Sequence, residues 1–170
     1  MDKEHRKQYW NLKIEQANYG SSWAIGDLFE LWVSDNVFPE RPFQVIDNTP
    51  HYENLNGRRC IREKYPDFHF LCNKTDNDFW VECKFRSHLE DGKLCICYES
   101  YEWEAYMDFR EKSNKKLFFV VGLGGEPWDP EEVYCFDIDE TKFYTPYEKQ
   151  RENNIITKNF ESYSELLYFN

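Results

Sequence analysis

The stretch DFWVECKFR, residues 78–86, decides the fold. In an extended chain, successive side chains point to opposite faces. Phe79, Val81, Cys83 and Phe85 then form one apolar face, and Asp78, Trp80, Glu82, Lys84 and Arg86 form the other. This is a strand with a core on one side and a carboxylate beside an ammonium on the other. Just upstream, DFHFLC (residues 67–72) alternates too, with Asp67 and His69 on one face and Phe68 and Phe70 on the other. Residues 73–77 between them are rich in turn formers, so the pair reads as a β-hairpin. Asp67 and Glu82 are 15 residues apart, room for two strands and a turn. The hairpin is therefore expected to bring Asp67 beside Glu82 and Lys84.

That grouping suits one kind of chemistry. Two carboxylates bind a hard divalent cation through oxygen, and Mg²⁺ keeps positions open for water and phosphate. A cation so held acidifies water and neutralises phosphoryl charge. An ammonium on the same side of the pleat can steer the water or stabilise the negative transition state. Read without chemistry, the same residues make a surface hairpin with an ordinary cross-strand ion pair.

Outward from the hairpin, residues 3–17 are polar and helical. Ser21 and Ser22 are caps for a second helix, in which Ile25, Leu28, Phe29, Trp32 and Val33 recur at helical spacing as a core stripe that stops before Pro39. FQVID (43–47), LCIC (94–97), KLFFVVG (116–122) and VYCFDI (133–138) read as strands, the third buried on both faces. Residues 99–113 and 161–169 read as helices. Gly122, Gly124 and Gly125 lack the Gly-Lys-Ser/Thr of a phosphate loop and read as a strand-to-strand turn. The order implies an α/β sandwich with a mixed central sheet flanked by helices, one domain over 1–170, with polar termini that are helical or partly disordered.

The 170 residues include 19% aromatics, enough large rings for a sizeable core. The N-terminus, MDKEHRKQYW, is charged, no apolar targeting segment follows it, and no apolar run could span a bilayer, so the protein is expected to be soluble and cytoplasmic. Six cysteines without a C-x-x-C pair read as reduced thiols, with Cys72, Cys83, Cys95 and Cys97 in strand-like runs. His69 and Cys72 lack a second ligand pair at zinc spacing. The formal charge of −11 argues against strong sequence-independent binding of nucleic acid. Residues 57–116 are neutral, however, with 12 basic and 12 acidic residues, so a phosphate-facing surface is expected there, around Arg58, Arg59, Arg62 and Lys64, with Arg86 on the strand.

Pro66-Asp67 followed by Glu82-Cys83-Lys84 resembles the signature of the PD-(D/E)XK nuclease superfamily. The resemblance covers residues 22–138 and implies a restriction-endonuclease-like fold and Mg²⁺- or Mn²⁺-dependent cutting of phosphodiester bonds, in DNA rather than RNA. It implies that Asp67 and Glu82 hold the metal with the backbone carbonyl of Cys83, and that Lys84 positions or activates the attacking water. Arg58, Arg59 and Arg86 would contact substrate, and a homodimer or larger complex is compatible with this reading. Gly26-Asp27-Leu28-Phe29-Glu30 resembles the G-x-x-F-E helix of the Holliday-junction-resolvase and restriction-enzyme branches, whose glutamate supports the metal or its water. By helical angle Glu30 lies about 130° from the stripe centre, which makes it a solvated charge unless the helix tilts inward. Glu102, in the middle of a stripe formed by Tyr98, Ala105, Tyr106 and Phe109, is expected to be buried with a metal or partner, or else to be hydrogen-bonded by a neighbouring Tyr. Glu102-x-x-x-Tyr106 also resembles a Q-x-x-x-Y motif, with Glu for Gln. Two other readings stand beside the nuclease: the fold kept without cutting, as a binding or assembly module, and an acidic mimic of nucleic acid directed at a basic protein.

Overall fold

The computed structural model describes residues 3–49, 65–141, 144–146, 154–157 and 159–167. Helices α1 (Lys3–Asn18) and α2 (Ser22–Asn36) precede strands β1 (Phe43–Asn48), β2 (Phe68–Cys72), β3 (Asn77–Arg86) and β4 (Lys93–Cys95). Helix α3 (Ser100–Ser113), strands β5 (Leu117–Glu126), β6 (Asp129–Asp137) and β7 (Tyr144–Pro146), and the short helix α4 (Tyr163–Leu167) follow. Five strands form a mixed sheet in the order β1-β2-β3-β5-β6. β3 runs antiparallel to β2 and parallel to β5, and the remaining pairings are antiparallel. The expected α/β architecture, a mixed central sheet flanked by helices, is the observed one. No helix among the described residues is long and apolar enough to cross a membrane.

The two-faced reading of β3 holds. Phe79 and Val81 enter a core with Phe29 and Val33 of α2, and Cys83 and Phe85 pack against it. Trp80 enters a second core on the opposite face, with Leu117, Phe119 and Val121 of β5, against which Trp103, Tyr106 and Phe109 of α3 pack. The sheet is thus buried on both sides, which explains the unbroken apolar run in β5. The described cysteines, Cys72, Cys83, Cys95, Cys97 and Cys135, carry no disulfide. His69 and Cys72 share no site. His69 stacks on Trp80 and pairs with Asp78 at 2.7 Å, whereas the Cys72 thiol lies in the core on the other face.

Two local features set the position of α2. Ser21 caps it, its hydroxyl accepting from the Ala24 N–H at 3.3 Å. Polar α1 docks on it through charge: the Lys13 ammonium lies 2.6 Å from Asp27, both about 5% exposed, and the Tyr9 hydroxyl donates to the same carboxylate at 3.0 Å. Arg6 pairs with Asp35 further along. Removing one partner of a buried pair strands the other charge and costs roughly 3–5 kcal/mol.

The glycines of the β5–β6 hairpin differ from expectation. Residues 127–128 make the turn, and Gly122, Gly124 and Gly125 belong to β5 itself. Gly122 has a packing role: a Cβ there would lie 2.5 Å from the Phe29 ring. The missing side chain lets α2 settle onto the sheet. Gly122→Ala should therefore push α2 outward and lower stability by about 1–3 kcal/mol, the usual cost of overpacking. Chemical denaturation checks this, and an unchanged midpoint would show that Phe29 can move aside freely.

Candidate active site

β2 and β3 pair with Phe68 opposite Val81 and His69 opposite Trp80. Continuing that register one residue sets Asp67 across from Glu82. The Asp67 side chain reaches over the neighbouring strand and accepts the Cys83 backbone N–H at 2.7 Å. Glu82, only 4% exposed, is flanked by the Lys84 ammonium at 2.6 Å and by the Tyr106 hydroxyl, which donates to its Oε1. Lys84 also donates to the Tyr106 hydroxyl at 3.3 Å. The hairpin and α3 thereby join into one polar cluster at the floor of a cleft of 1110 Å³.

Glu30 is brought in as well. It lines this cleft with Asp67, Glu82 and Lys84, and among the charged groups it has the largest influence on Asp67. Glu30 is half-buried on a helix that lies tight on the sheet at Gly122, so it lines the cleft while keeping access to water. Glu102 is less enclosed than its stripe implied. It is only partly buried, and its carboxylate accepts the Tyr98 N–H at 3.1 Å, closing the start of α3 as an N-terminal glutamate does. No residue of α3 is fully buried, so the stripe does not enclose a carboxylate.

Arg86 has a structural task. Its guanidinium donates to the carbonyls of Cys95 and Ile96, each at 2.8 Å, and to its own neighbour Phe85 at 3.0 Å. It clamps the β4 segment to the end of β3 and lies 4.5 Å from the Tyr98 ring centroid. Arg58 and Arg59, with Arg62 and Lys64, lie outside the described residues. Residues not singled out in the sequence, notably Trp23, Tyr65 and Tyr101, also line the cleft, together with Tyr98 of the stripe. The available signal was rings set among polar neighbours, as in YESYE at 98–102.

The electrostatics follow from this crowding. Burial, then Glu30 and Glu82, hold the Asp67 carboxyl well above the usual carboxylate range, against the pull of Lys84 and the Cys83 N–H. For Lys84, burial works against the charge, but Glu82 and Asp67 outweigh it, so the ammonium is held more firmly than a free lysine's. Burial and then Glu82 push the Tyr106 phenol far up, so it remains a donor. Burial drives the Cys83 thiol well up and the Cys97 thiol to about 12, which leaves neither as a nucleophile.

A divalent cation fits these groups on one direct observation. Glu82 Oε2 is buried and has no hydrogen-bond partner among the described residues, while Oε1 is doubly occupied. An orphaned carboxylate oxygen beside a second carboxyl, whose negative charge burial and its acidic neighbours oppose, is a donor pair that a cation would compensate. Among the described residues no three His, Cys, Asp and Glu side chains form a cage by themselves. Such an ion would therefore draw on two carboxylates, a carbonyl and water, as Mg²⁺ does.

No family model and no curated protein matches the chain. Among solved structures it is similar to the Holliday junction resolvase Hjc of Archaeoglobus fulgidus, an archaeal hyperthermophile. That similarity has 15% identity and a TM-score of 0.44, covering 74% of this chain and 86% of that one.

A native carboxyl that holds its proton too tightly costs stability once it ionises. Stability contributed at Asp67 is full below the ordinary carboxylate range and lost as pH rises toward the raised folded value. Asp67→Asn keeps an acceptor for Cys83 and removes the charge. It should raise the melting temperature of the cation-free protein at neutral pH, by roughly 2–4 °C per kcal/mol relieved, and leave it unchanged at low pH. Melting curves across a pH series check this, and parallel profiles would contradict it.

Proposed function

We propose that this protein is a divalent-cation-dependent phosphodiesterase of the PD-(D/E)XK type, acting on nucleic acid and on DNA in preference to RNA. The observation that carries the reading is the buried Glu82 carboxylate, with one oxygen held by Lys84 and Tyr106 and the other left without a donor. Asp67 and Glu82 would hold Mg²⁺ or Mn²⁺, with the carbonyl of Cys83, the residue after Glu82. Bound there, the cation supplies an acidified water and a counter-charge for the phosphoryl oxygens.

The chain's own residues divide the remaining work. Lys84, firmly protonated, does not accept a proton; it orients the attacking water through its N–H bonds and offsets charge gathering on the phosphoryl oxygens in the transition state. Tyr106 keeps Glu82 Oε1 in place, so the free oxygen keeps its direction. Glu30, at the cleft wall, is placed to orient a water rather than to serve as a principal ligand. Glu102 steadies the start of the helix that carries Tyr106. Burial pushes the thiol of Cys83, the cysteine in the described lining, well up and away from nucleophile duty, and we assign the attack to water.

A second reading, the fold kept as a binding or assembly module that does not cut, is favoured by the net charge of −11, which opposes affinity for a polyanion. Calorimetric titration with Mn²⁺ separates the two. The nuclease reading expects heat from the parent and none from Glu82→Gln, and a silent parent points to the module. In a Mg²⁺ cleavage assay, Lys84→Ala, shown folded by circular dichroism, should lose about 10²–10³-fold in rate, the usual cost of removing one transition-state donor. Equal rates for parent and variant would overturn the assignment.

A further inference from the structure

The described residues expose five large aromatic side chains, Tyr19, Trp23, Tyr65, Tyr98 and Tyr101. Four of them line the cleft, Trp23, Tyr98 and Tyr101 more than half exposed and Tyr65 at 40%. Among the described residues, whose other rings are buried or partly buried, this concentration around one acidic floor is a feature of the site. Two of the rings are braced. Tyr98 lies against the Arg86 guanidinium, itself fixed by three carbonyls, and Tyr65 packs on Phe109 with centroids 5.0 Å apart.

We propose that the cleft binds unpaired nucleotides, stacking the bases of a single strand on these rim rings while the backbone crosses the acidic floor. This deepens the phosphodiesterase reading and rests on it. Charge separates the single strand from the duplex. Duplex binding draws its affinity from cations set against phosphates. In the described lining, however, Lys84 sits on Glu82 and the Arg86 guanidinium is spent on carbonyls, in a chain of net charge −11. A stacked base needs no cation, and every base presents the same kind of face, so such binding tolerates any sequence. Inside a duplex those faces are already stacked on one another and cannot reach a ring. Single-stranded DNA and RNA share the chemistry, and the ribose hydroxyl alone distinguishes them.

The test is fluorescence anisotropy on the full chain with Ca²⁺ in place of Mg²⁺. The labelled probes are a DNA single strand, the same strand in RNA, an abasic strand of equal length, and the DNA duplex. Either single strand should bind about tenfold or more tightly than both the abasic strand and the duplex. Tyr98→Ala combined with Tyr101→Ala should lose about tenfold on the base-bearing strands and nothing on the abasic one. Tyr98→Phe, which keeps the ring, should bind as the parent does. An abasic strand bound as well as its base-bearing counterpart, or alanine variants bound like the parent, overturns the inference. Duplex bound best, and cut in Mg²⁺, removes the stacking proposal and leaves the phosphodiesterase reading standing. Single strands bound through Tyr98 and Tyr101 yet intact in Mg²⁺ uphold the binding mode and remove the cutting.

Discussion

Glu82 is a carboxylate in the middle of a buried strand, and the cost of drying it organises much of the structure. Removing such a group from water costs several kcal/mol unless its surroundings compensate. Here they do so for one oxygen only, with an ammonium two residues along the same strand and a phenol from a different element. The phenol is in place only because Trp103, Tyr106 and Phe109 hold α3 to the sheet through Phe119 and its neighbours. One half-satisfied charge therefore ties the hairpin, the parallel strand and the crossing helix into a single requirement.

The opposite face of the same strand carries a different requirement. Phe79, Val81, Cys83 and Phe85 must meet α2, and α2 meets them closely because β5 has no side chain at Gly122. Core packing and site geometry are thus consecutive residues of one strand. A register slip of one residue would exchange them, placing phenylalanines in the cleft and charges in the core.

What could be seen in the sequence and what could not divide along the range of the forces involved. Alternation in 78–86 is local, so the faces of β3 and the meeting of Asp67, Glu82 and Lys84 were readable before any fold was known. Turn-forming residues at 73–77 did the same for the hairpin. For Glu30 a helical wheel gave angle without depth, and its place at the cleft wall goes with a contact between Phe29 and Gly122, some 90 residues apart. For Glu102 the hydrogen bond with a neighbouring Tyr is present, through the Tyr98 N–H, but full burial is not, because periodicity cannot tell a helix that is covered along its length from one that lies half in water. Arg86 was placed on the correct face, but the carbonyls that absorb it belong to a segment whose path is tertiary. The phosphate-facing role of Arg58 and Arg59 falls outside the described residues. The exposed rings escaped notice because aromatics are ordinarily counted as core.

The pairing of Lys13 with Asp27 reaches further than its distance from the cleft suggests. Asp27 lies in the same helical turn as Glu30, and Lys13 and Tyr9, both on the leading helix, hold its carboxylate. A minimal fragment cut to residues 22–138 would keep Asp67, Glu82 and Lys84 while removing both of those partners from the helix that carries Glu30. The leading helix is in this sense a remote strut of the cleft, and its contribution lies in alignment rather than in chemistry.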